Sequence, residues 1–340
     1  MMENNPDNII IFGNSSLNVM YDTIARAYTH GIMGNTPWCK LDKVKWLCPV
    51  PGYDRHFGIT EHFGMEMIPI PMNENGPDMD LVEKYVSEDP AVKGIWCVPK
   101  YSNPTGISYS DEVVCKFARL KPAAADFRIF WDNAYGIHHL YEDADRQDYL
   151  VEILAECKKA GNPDMVYKFA STSKITFPGS GIAAIATSLN NLEDITKTMT
   201  HQTIGHDKVN QLRHVRFFGD IHGMTEHMKK HAEIIRPKFE AVEEIFDTEL
   251  SGLGIAKWTI PNGGYFISFD ALDGCAKKIV EKAKKAGVLM TDAGATWPYH
   301  NDPKDSNIRV APTYPPLEDL KTAATLFALC VKLVSAKKIL

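Results

Sequence analysis

The sequence predicts an α/β fold with a mainly parallel central sheet covered by helices, plus a small C-terminal α+β domain. Short apolar runs rich in branched residues show no polar alternation, which is typical of strands buried on both faces of a sheet. Longer helical patterns separate these runs, and strands that alternate with helices usually pair in parallel. The 340 residues are enough for one large domain and a smaller one.

The first half of the chain contains most of the predicted strands. A strand precedes Gly13, and the later ones are KWLCPV, MEMIPI, KGIWCV, FRIFW, MVYKFA and IAAIAT. Helices are predicted between them, at 16–30, 55–64, 78–88, 110–120 and 148–160. A long helical region from about 207 to 247 follows. We expect breaks in it near FFGDIHG and at Pro237, because proline lacks the amide hydrogen that a helix uses.

The last third of the chain predicts the smaller domain. GIAKWTI and GYFISFD flank the turn PNG and read as an antiparallel pair. A helix at 272–286, a strand in NIRVAP and a final helix at 316–336 complete it. We therefore predict a large domain at 1–220, then a connecting helix and the small domain at 221–340.

The composition argues against nucleic acid and membranes as partners and indicates the cellular compartment. The net charge is −6 and the pI about 6.1, so no basic excess indicates nucleic acid or an anionic membrane. The seven cysteines form no CxxC pair, which favours a reduced, cytoplasmic compartment. The N-terminus is polar, and no apolar run approaches the ~18 residues of a membrane span.

Two motifs indicate a bound phosphate and a ligand cleft. Asn14, Ser15 and Ser16 lie in a small polar turn between a strand and a helix, where amides and hydroxyls can hold a phosphate. The alternative is a plain serine helix cap. Asn103, in the NPTG turn, follows a predicted parallel strand, and ligands bind at such strand ends. Its alternative is an ordinary turn.

Three charged side chains stand alone in apolar surroundings. Asp132 directly follows a strand, and a buried carboxylate needs a partner such as a protonated ring nitrogen, unless it only caps a helix. Lys174 lies in FASTSKITFPGSGIAAIATS, and a lysine in such a setting can act as a nucleophile. Arg309 is the one charge in NIRVAP and predicts either a bound carboxylate or an internal salt bridge.

These features together match what pyridoxal phosphate (PLP) chemistry requires. That chemistry needs a lysine for the Schiff base and an aspartate that keeps the pyridine nitrogen protonated. Tyr135 follows Asp132 by three residues and can reach the same cleft. The set is completed by the phosphate turn and by an arginine for the substrate α-carboxylate.

The motifs YSNPTG, DNAY, STSK and NIRVAP resemble those of fold-type I PLP-dependent aminotransferases of the class I/II superfamily. PGYDRHF and KVNQLRHVRF resemble more narrowly the subgroup called aspartate aminotransferase type Ic. The resemblance implies PLP as cofactor and a homodimer with shared active sites. It also implies ping-pong transfer of an amino group from an L-amino acid, aspartate favoured, to a 2-oxo acid, 2-oxoglutarate favoured. The alternatives are a PLP-dependent lyase, an aminotransferase of other substrate range, or a catalytically impaired PLP-binding protein.

The resemblance also assigns roles to residues of this chain. Lys174 would form the Schiff base and move the proton, and Asp132 would pair with the pyridine nitrogen. Tyr135 and Asn103 would bind the phenolic oxygen, and Tyr53 would stack on the ring. Arg309, with Asn103, would bind the substrate carboxylate. The residues expected at the phosphate are Asn14, Ser15, Ser16 and Ser171, with Ser173 and Ser180 as further candidates.

Two departures from the family pattern stand out. Ile182 occupies the position where the superfamily often has a phosphate-binding arginine. In relatives an N-terminal arm and helices precede the phosphate turn, which begins here at residue 13, so we expect this chain to lack that segment and part of the substrate pocket.

Other polar side chains suggest weaker hypotheses. His227 and His231 have helical i, i+4 spacing, but the lysine-rich surroundings predict a solvated face, and we assign no metal. His138 and His139 read as core or turn residues. Asn210 and Arg213 lie where the family fold often reaches the active site of the neighbouring subunit.

Overall fold

A computed structural model describes residue 2 and residues 4–340. Its larger sheet contains eight described strands in the order β1-β8-β7-β6-β5-β2-β3-β4. Their bounds are β1 Ile9–Ile11, β2 Lys45–Val50, β3 Glu66–Asn73, β4 Gly76–Pro77, β5 Val92–Cys97, β6 Arg128–Asp132, β7 Val166–Ser171 and β8 Ala183–Ala186. The strands β3, β2, β5, β6 and β7 pair in parallel, while β8 is antiparallel to both β7 and β1. The predicted α/β fold with a mainly parallel sheet is therefore confirmed.

The helices lie between these strands and after them. Their bounds are α1 Ser16–His30, α2 Asp54–His62, α3 Met79–Glu88, α4 Asp111–Ala118, α5 Ile153–Lys159, α6 Leu189–Gln202, α7 Lys208–Phe218, α8 Ile221–Leu250, α9 Ala276–Lys285 and α10 Leu317–Ile339. The helix α6 was not predicted from the sequence, because it is mostly polar and buries only Asn191, Leu192 and Ile195. No helix in the described part of the chain is long and apolar enough to cross a membrane.

The long helical region breaks at one of the two predicted places. Gly219, with φ of 70°, ends α7, and Asp220 caps α8. The break predicted at Pro237 is wrong, because α8 continues through it to Leu250. A proline removes one helical hydrogen bond. Burial of Phe239, Val242 and Phe246 just beyond it stabilises the helix in compensation.

The second sheet is antiparallel and has the order β11-β10-β9. Its strands are β9 Ala256–Trp258, β10 Ile267–Ala271 and β11 Asn307–Val310, so the predicted antiparallel pair is present. One apolar cluster joins this sheet to α8, α9 and α10, with the rings of Phe246, Phe269 and Phe327 in mutual contact. The division at residue 220 falls just before α8 and stays a prediction.

Strand direction decides where the site can form. The strands β1, β2, β5, β6 and β7 all point the same way, so their carboxyl ends share one edge of the larger sheet. The segments that follow these strands carry the predicted phosphate turn, Tyr53, Asn103 and Lys174, and Asp132 is the last residue of β6. Ligands of open α/β sheets bind at this edge.

An aromatic cluster packs inside the sheet beneath that edge. Trp46 contacts the rings of Trp96 and Phe130, and all three side chains are buried. A Cβ added at Gly94 would lie 2.4–2.7 Å from the Trp46 ring. The close approach of β5 to β2 therefore requires glycine at this position.

We expect Gly94→Ala to lower the free energy of unfolding by about 1–3 kcal/mol, because the added methyl group overpacks the cluster. Gly58→Ala is the control, since a Cβ there meets nothing within 4 Å and alanine favours the helix. Urea unfolding followed by circular dichroism measures both. Equal stability of the two variants would contradict the packing argument.

Candidate active site

The shared edge of the sheet brings the predicted residues together. Tyr53 lies within electrostatic reach of Lys174, Tyr135 and Asp132. Burial raises the pKa of Tyr53 to about 12, and the Lys174 charge opposes this rise. Tyr53 is therefore a neutral phenol at physiological pH, next to the lysine and the carboxylate.

Asp132 ends β6 and is buried. Its Oδ2 accepts a hydrogen bond from His56 Nε2 over 3.1 Å. Its Oδ1 is buried and has no hydrogen-bond partner among the residues that the structure describes. A buried carboxylate oxygen without a partner is costly, which indicates that this oxygen belongs to a ligand site.

His56 is a site residue that the sequence analysis missed. It lies in α2, stacks on Trp96 with centroids 4.4 Å apart, and meets the Tyr53 ring edge-on. The signal that could have found it is its spacing, three residues after Tyr53 and thus one helical turn further on. The stacking fixes the imidazole that holds Asp132.

The lysine turn, residues 172–176, follows β7 and carries Lys174. The Lys174 ammonium lies 4.9 Å from the centre of the Tyr135 ring. The Lys174 carbonyl accepts hydrogen bonds from Tyr265 Oη over 2.8 Å and from His138 Nε2 over 3.4 Å. Tyr265 precedes β10, so the turn is held by residues next to both sheets.

Two histidines from the long helices also hold the lysine turn. His214 of α7 contacts the hydroxyls of Thr172 and Thr176 at 3.0 and 3.1 Å. His227 of α8 donates to the Ile175 carbonyl over 2.8 Å and packs against Phe217 and Phe218.

The predicted solvated face at His227 and His231 is therefore wrong. α7 folds back along α8 and half-buries both imidazoles. Asn210 Nδ2 donates to the carbonyls of Ser180 and Gly181, while Arg213 is exposed on the same helix.

Tyr135 is buried and hydrogen-bonds the side chain of Asn103. Burial raises the pKa of its phenol well above the ordinary value, and the Asp132 charge raises it further. Arg309 and the Asn103 hydrogen bond oppose this rise. Tyr135 is therefore placed as a neutral hydrogen-bonding group between Asp132 and Arg309.

The polar turn after β1 meets the lysine turn through hydroxyl groups. Ser171 Oγ lies 3.4 Å from Ser16 Oγ and 3.1 Å from Ser173 Oγ, and Ser173 Oγ donates to the Asn14 carbonyl over 2.8 Å. Ser15 caps α1. Gly181 permits this approach, because a Cβ there would lie 2.7 Å from the Asn14 carbonyl oxygen.

Two residues of the FPGSGI segment lie beside this hydroxyl cradle. Ser180 lines a separate cavity of about 610 Å³ next to α7. The Ile182 amide donates to Thr172 Oγ1 over 2.8 Å, and its side chain supplies no charge. The cradle formed by Asn14, Ser16, Ser171 and Ser173 thus consists of neutral groups.

Arg309 projects from β11 toward the larger sheet. Its Nη1 donates to Asp54 Oδ1 over 2.7 Å and to Asn103 Oδ1 over 3.2 Å. Its Nη2 lies 3.4 Å from Thr291 Oγ1, and its guanidinium lies over the Phe266 ring. Of the two partners that the sequence predicts for Arg309, a carboxylate ligand or an internal salt bridge, the structure shows the salt bridge.

This arrangement, at the strand ends of a largely parallel sheet, defines the class of fold-type I transferases. The aspartate amino-transferase family profile matches residues 1–340. A putative aminotransferase of Mycolicibacterium smegmatis is 47% identical over 98% of this chain and 78% of its own length. The aspartate aminotransferase of Corynebacterium glutamicum is 47% identical over 95% of this chain and 74% of its own length.

A solved structure gives the same result. The crystal structure of a putative aminotransferase from Corynebacterium diphtheriae superposes with a TM-score of 0.95 at 48% identity, over 97% of this chain and 81% of that one. The chain belongs to the aspartate amino-transferase family, and the resemblance seen in the sequence is confirmed. The protein is an aminotransferase.

His138 makes the stability of the lysine turn depend on pH. Burial lowers the pKa of its imidazole from 6.5 to about 3, and the Lys174 charge lowers it further. As pH falls below about 6.5, the unfolded chain binds a proton at this position and the folded chain does not, so stability is lost. The loss is at most about 1.4 kcal/mol per pH unit.

We expect His138→Asn to be less stable than the wild type at pH 7, because the hydrogen bond to the Lys174 carbonyl is lost. This deficit should shrink as the pH falls from 7 to 4.5, because the variant lacks the proton-linked loss. Chemical unfolding at several pH values measures the difference. A deficit that stays constant across this range would contradict the account.

Proposed function

We propose that the protein is a PLP-dependent aspartate aminotransferase, with 2-oxoglutarate as the amino acceptor and a ping-pong mechanism. The observation that carries the proposal is the buried Asp132 carboxylate, whose Oδ1 has no partner among the described residues. A protonated pyridine nitrogen would supply that partner. The surrounding residues fit the remaining parts of PLP.

When bound, PLP supplies an electron sink that stabilises negative charge at the substrate Cα. Asp132, held by His56, would accept the hydrogen bond of the ring nitrogen and keep it protonated. Tyr53 would cover a face of the ring. Tyr135 and Asn103 would bind the phenolic oxygen of PLP. The side chains of these two residues form a hydrogen bond with each other.

The hydroxyl cradle would hold the phosphate group. Ser15, Ser16, Ser171 and Ser173 offer hydroxyl donors, and Asn14 belongs to the same turn. The cradle lies at the N-terminus of α1, a 15-residue helix whose dipole favours an anion there. Ser180, which lines the cavity beside α7, would be a further hydroxyl donor to the phosphate.

Lys174 would bind the cofactor covalently and would move the proton at the substrate Cα. The Lys174 carbonyl accepts hydrogen bonds from both Tyr265 and His138. These two bonds fix the backbone and leave the lysine side chain free to rotate. Arg309 would bind the α-carboxylate, since a guanidinium matches a carboxylate bidentately. Aspartate is favoured because the C. glutamicum relative is an aspartate aminotransferase.

The test is transamination of aspartate and 2-oxoglutarate by the PLP-loaded protein, with oxaloacetate measured. We expect turnover in the wild type and a loss of at least about 10³-fold in Lys174→Ala, because both nucleophile and proton carrier are removed. Lys197→Ala, on the exposed surface, is the control and should keep wild-type turnover.

The alternatives give different results in the same assay. Turnover by an intact Lys174→Ala variant would contradict the proposal. Conversion of alanine or glutamate but not aspartate would identify a different amino-acid substrate, and release of pyruvate and ammonia from an amino acid with a leaving group at Cβ, such as cystathionine offered in place of aspartate, would indicate a lyase. Bound PLP that no amino acid converts to the amino form would indicate an impaired binding protein.

A homodimer with shared active sites is the second part of the proposal. α7, all of whose residues the structure describes, buries none of its side chains. Large apolar residues are exposed on it and beside it, at Ile204, Val209, Leu212, Val215, Phe217 and Ile221. Exposed apolar patches of this kind mark interaction sites. His214 links the helix to the lysine turn, so the surface adjoins the active site.

We expect the wild type to have about twice the chain mass of 38.1 kDa in light scattering and Val215→Glu to shift toward the monomer. Leu329→Glu is a matched control, because Leu329 is 59% exposed on α10 and Val215 is 63% exposed on α7. A dimer that both substitutions leave unchanged would show that α7 is not the interface.

A cytoplasmic compartment is the third part of the proposal. All seven cysteines are free, which supports a reduced, cytoplasmic setting.

A further inference from the structure

One ion pair crosses the cleft between the two sheets. Asp54 is the first residue of α2, which follows β2 of the larger sheet, and Arg309 lies on β11 of the smaller one. Their side-chain atoms are 2.7 Å apart, and the side chains are 23% and 10% exposed. Asp54 also lies within electrostatic reach of Tyr53 and Tyr135, so the pair borders the proposed active site.

The contacts of Arg309 show which part of the guanidinium remains available. Its Nη1 is engaged by Asp54 and Asn103. Its Nη2 makes a long contact of 3.4 Å to Thr291, and its buried Nε has no partner among the described residues. The Nε–Nη2 edge, which forms a two-pronged fork, can therefore take a carboxylate.

We propose that Asp54 is the resident counter-ion of Arg309 and weakens carboxylate binding there, because the substrate must share the guanidinium with it or displace it. The inference rests on the proposed role of Arg309 and deepens it. A largely buried guanidinium needs a counter-ion in the free enzyme. The same counter-ion repels an incoming anion and so favours release of the 2-oxo acid product.

A positioning role predicts the opposite effect. If Asp54 served only to orient Arg309, loss of its charge would weaken carboxylate binding. Asparagine separates the two roles, because its side-chain oxygen can still accept a hydrogen bond from Nη1 while the negative charge is gone.

The experiment measures the dissociation constant of succinate for the PLP-loaded protein by isothermal titration calorimetry. Succinate has carboxylates but no amino group, so no turnover occurs. We expect Asp54→Asn to lower the dissociation constant at least about fivefold, the scale of one unit charge about 4 Å away even when bulk water screens it fully. Asp54→Ser removes the same charge and should act in the same direction, which keeps the test available if one variant does not fold.

The control is Asp89→Asn. Asp89 also forms a 2.7 Å ion pair, with Lys45, and its side chain is 27% exposed, so the variant removes an equivalent charge outside the site. Its succinate affinity should match the wild type. Unchanged or weaker binding in folded Asp54→Asn and Asp54→Ser would overturn the inference.

Failure of the proposed function has a separate signature. If Arg309→Gln binds succinate as the wild type does, the carboxylate role of Arg309 fails, and the inference fails with it. If the wild type binds succinate through Arg309 but does not transaminate, the proposed reaction fails and the Asp54 measurement still stands.

Discussion

The buried carboxylate of Asp132 is the constraint on which the rest of the site depends. It ends a central strand, where solvent cannot satisfy it, and His56 holds only one of its oxygens. Trp96 stacks on that imidazole, and the aromatic cluster around Trp46 packs against Trp96. The core of the larger sheet thus sets the orientation of the Asp132 carboxylate. This packing explains why Asp132 can be held rigidly although only one of its two carboxylate oxygens has a hydrogen bond.

The lysine turn depends on contacts from most of the molecule. Tyr265 reaches it from the segment before β10, and His214 and His227 reach it from the two consecutive helices α7 and α8. The Asp54–Arg309 pair crosses the same cleft at the proposed substrate carboxylate site. A relative movement of the two sheets would therefore displace both the lysine turn and the proposed carboxylate site at Arg309. The proposed dimer surface on α7 adjoins the lysine turn.

Much of the fold and most of the proposed site residues could be predicted from the sequence, because the apolar runs that mark the strands place Asp132 at a strand end and Asn103 and Lys174 shortly after one. The remainder depends on tertiary contacts. Burial of apolar side chains around Pro237 keeps α8 continuous, and α7 covers His227. The local sequence carries no pattern that would predict either effect. The sequence likewise could not predict that Arg309 pairs with Asp54, because the two residues lie 255 positions apart in the chain.

The protonation state of the cofactor nitrogen reports directly on the proposed role of Asp132. Nuclear magnetic resonance of the protein loaded with PLP labelled with ¹⁵N in the ring reports it at neutral pH. We expect a protonated nitrogen in the wild type and an unprotonated one in Asp132→Ala, with Asp126→Asn, at the Lys93–Asp126 ion pair elsewhere in the fold, as the control. An unprotonated nitrogen in the wild type, or the same signal in Asp132→Ala, would contradict the account.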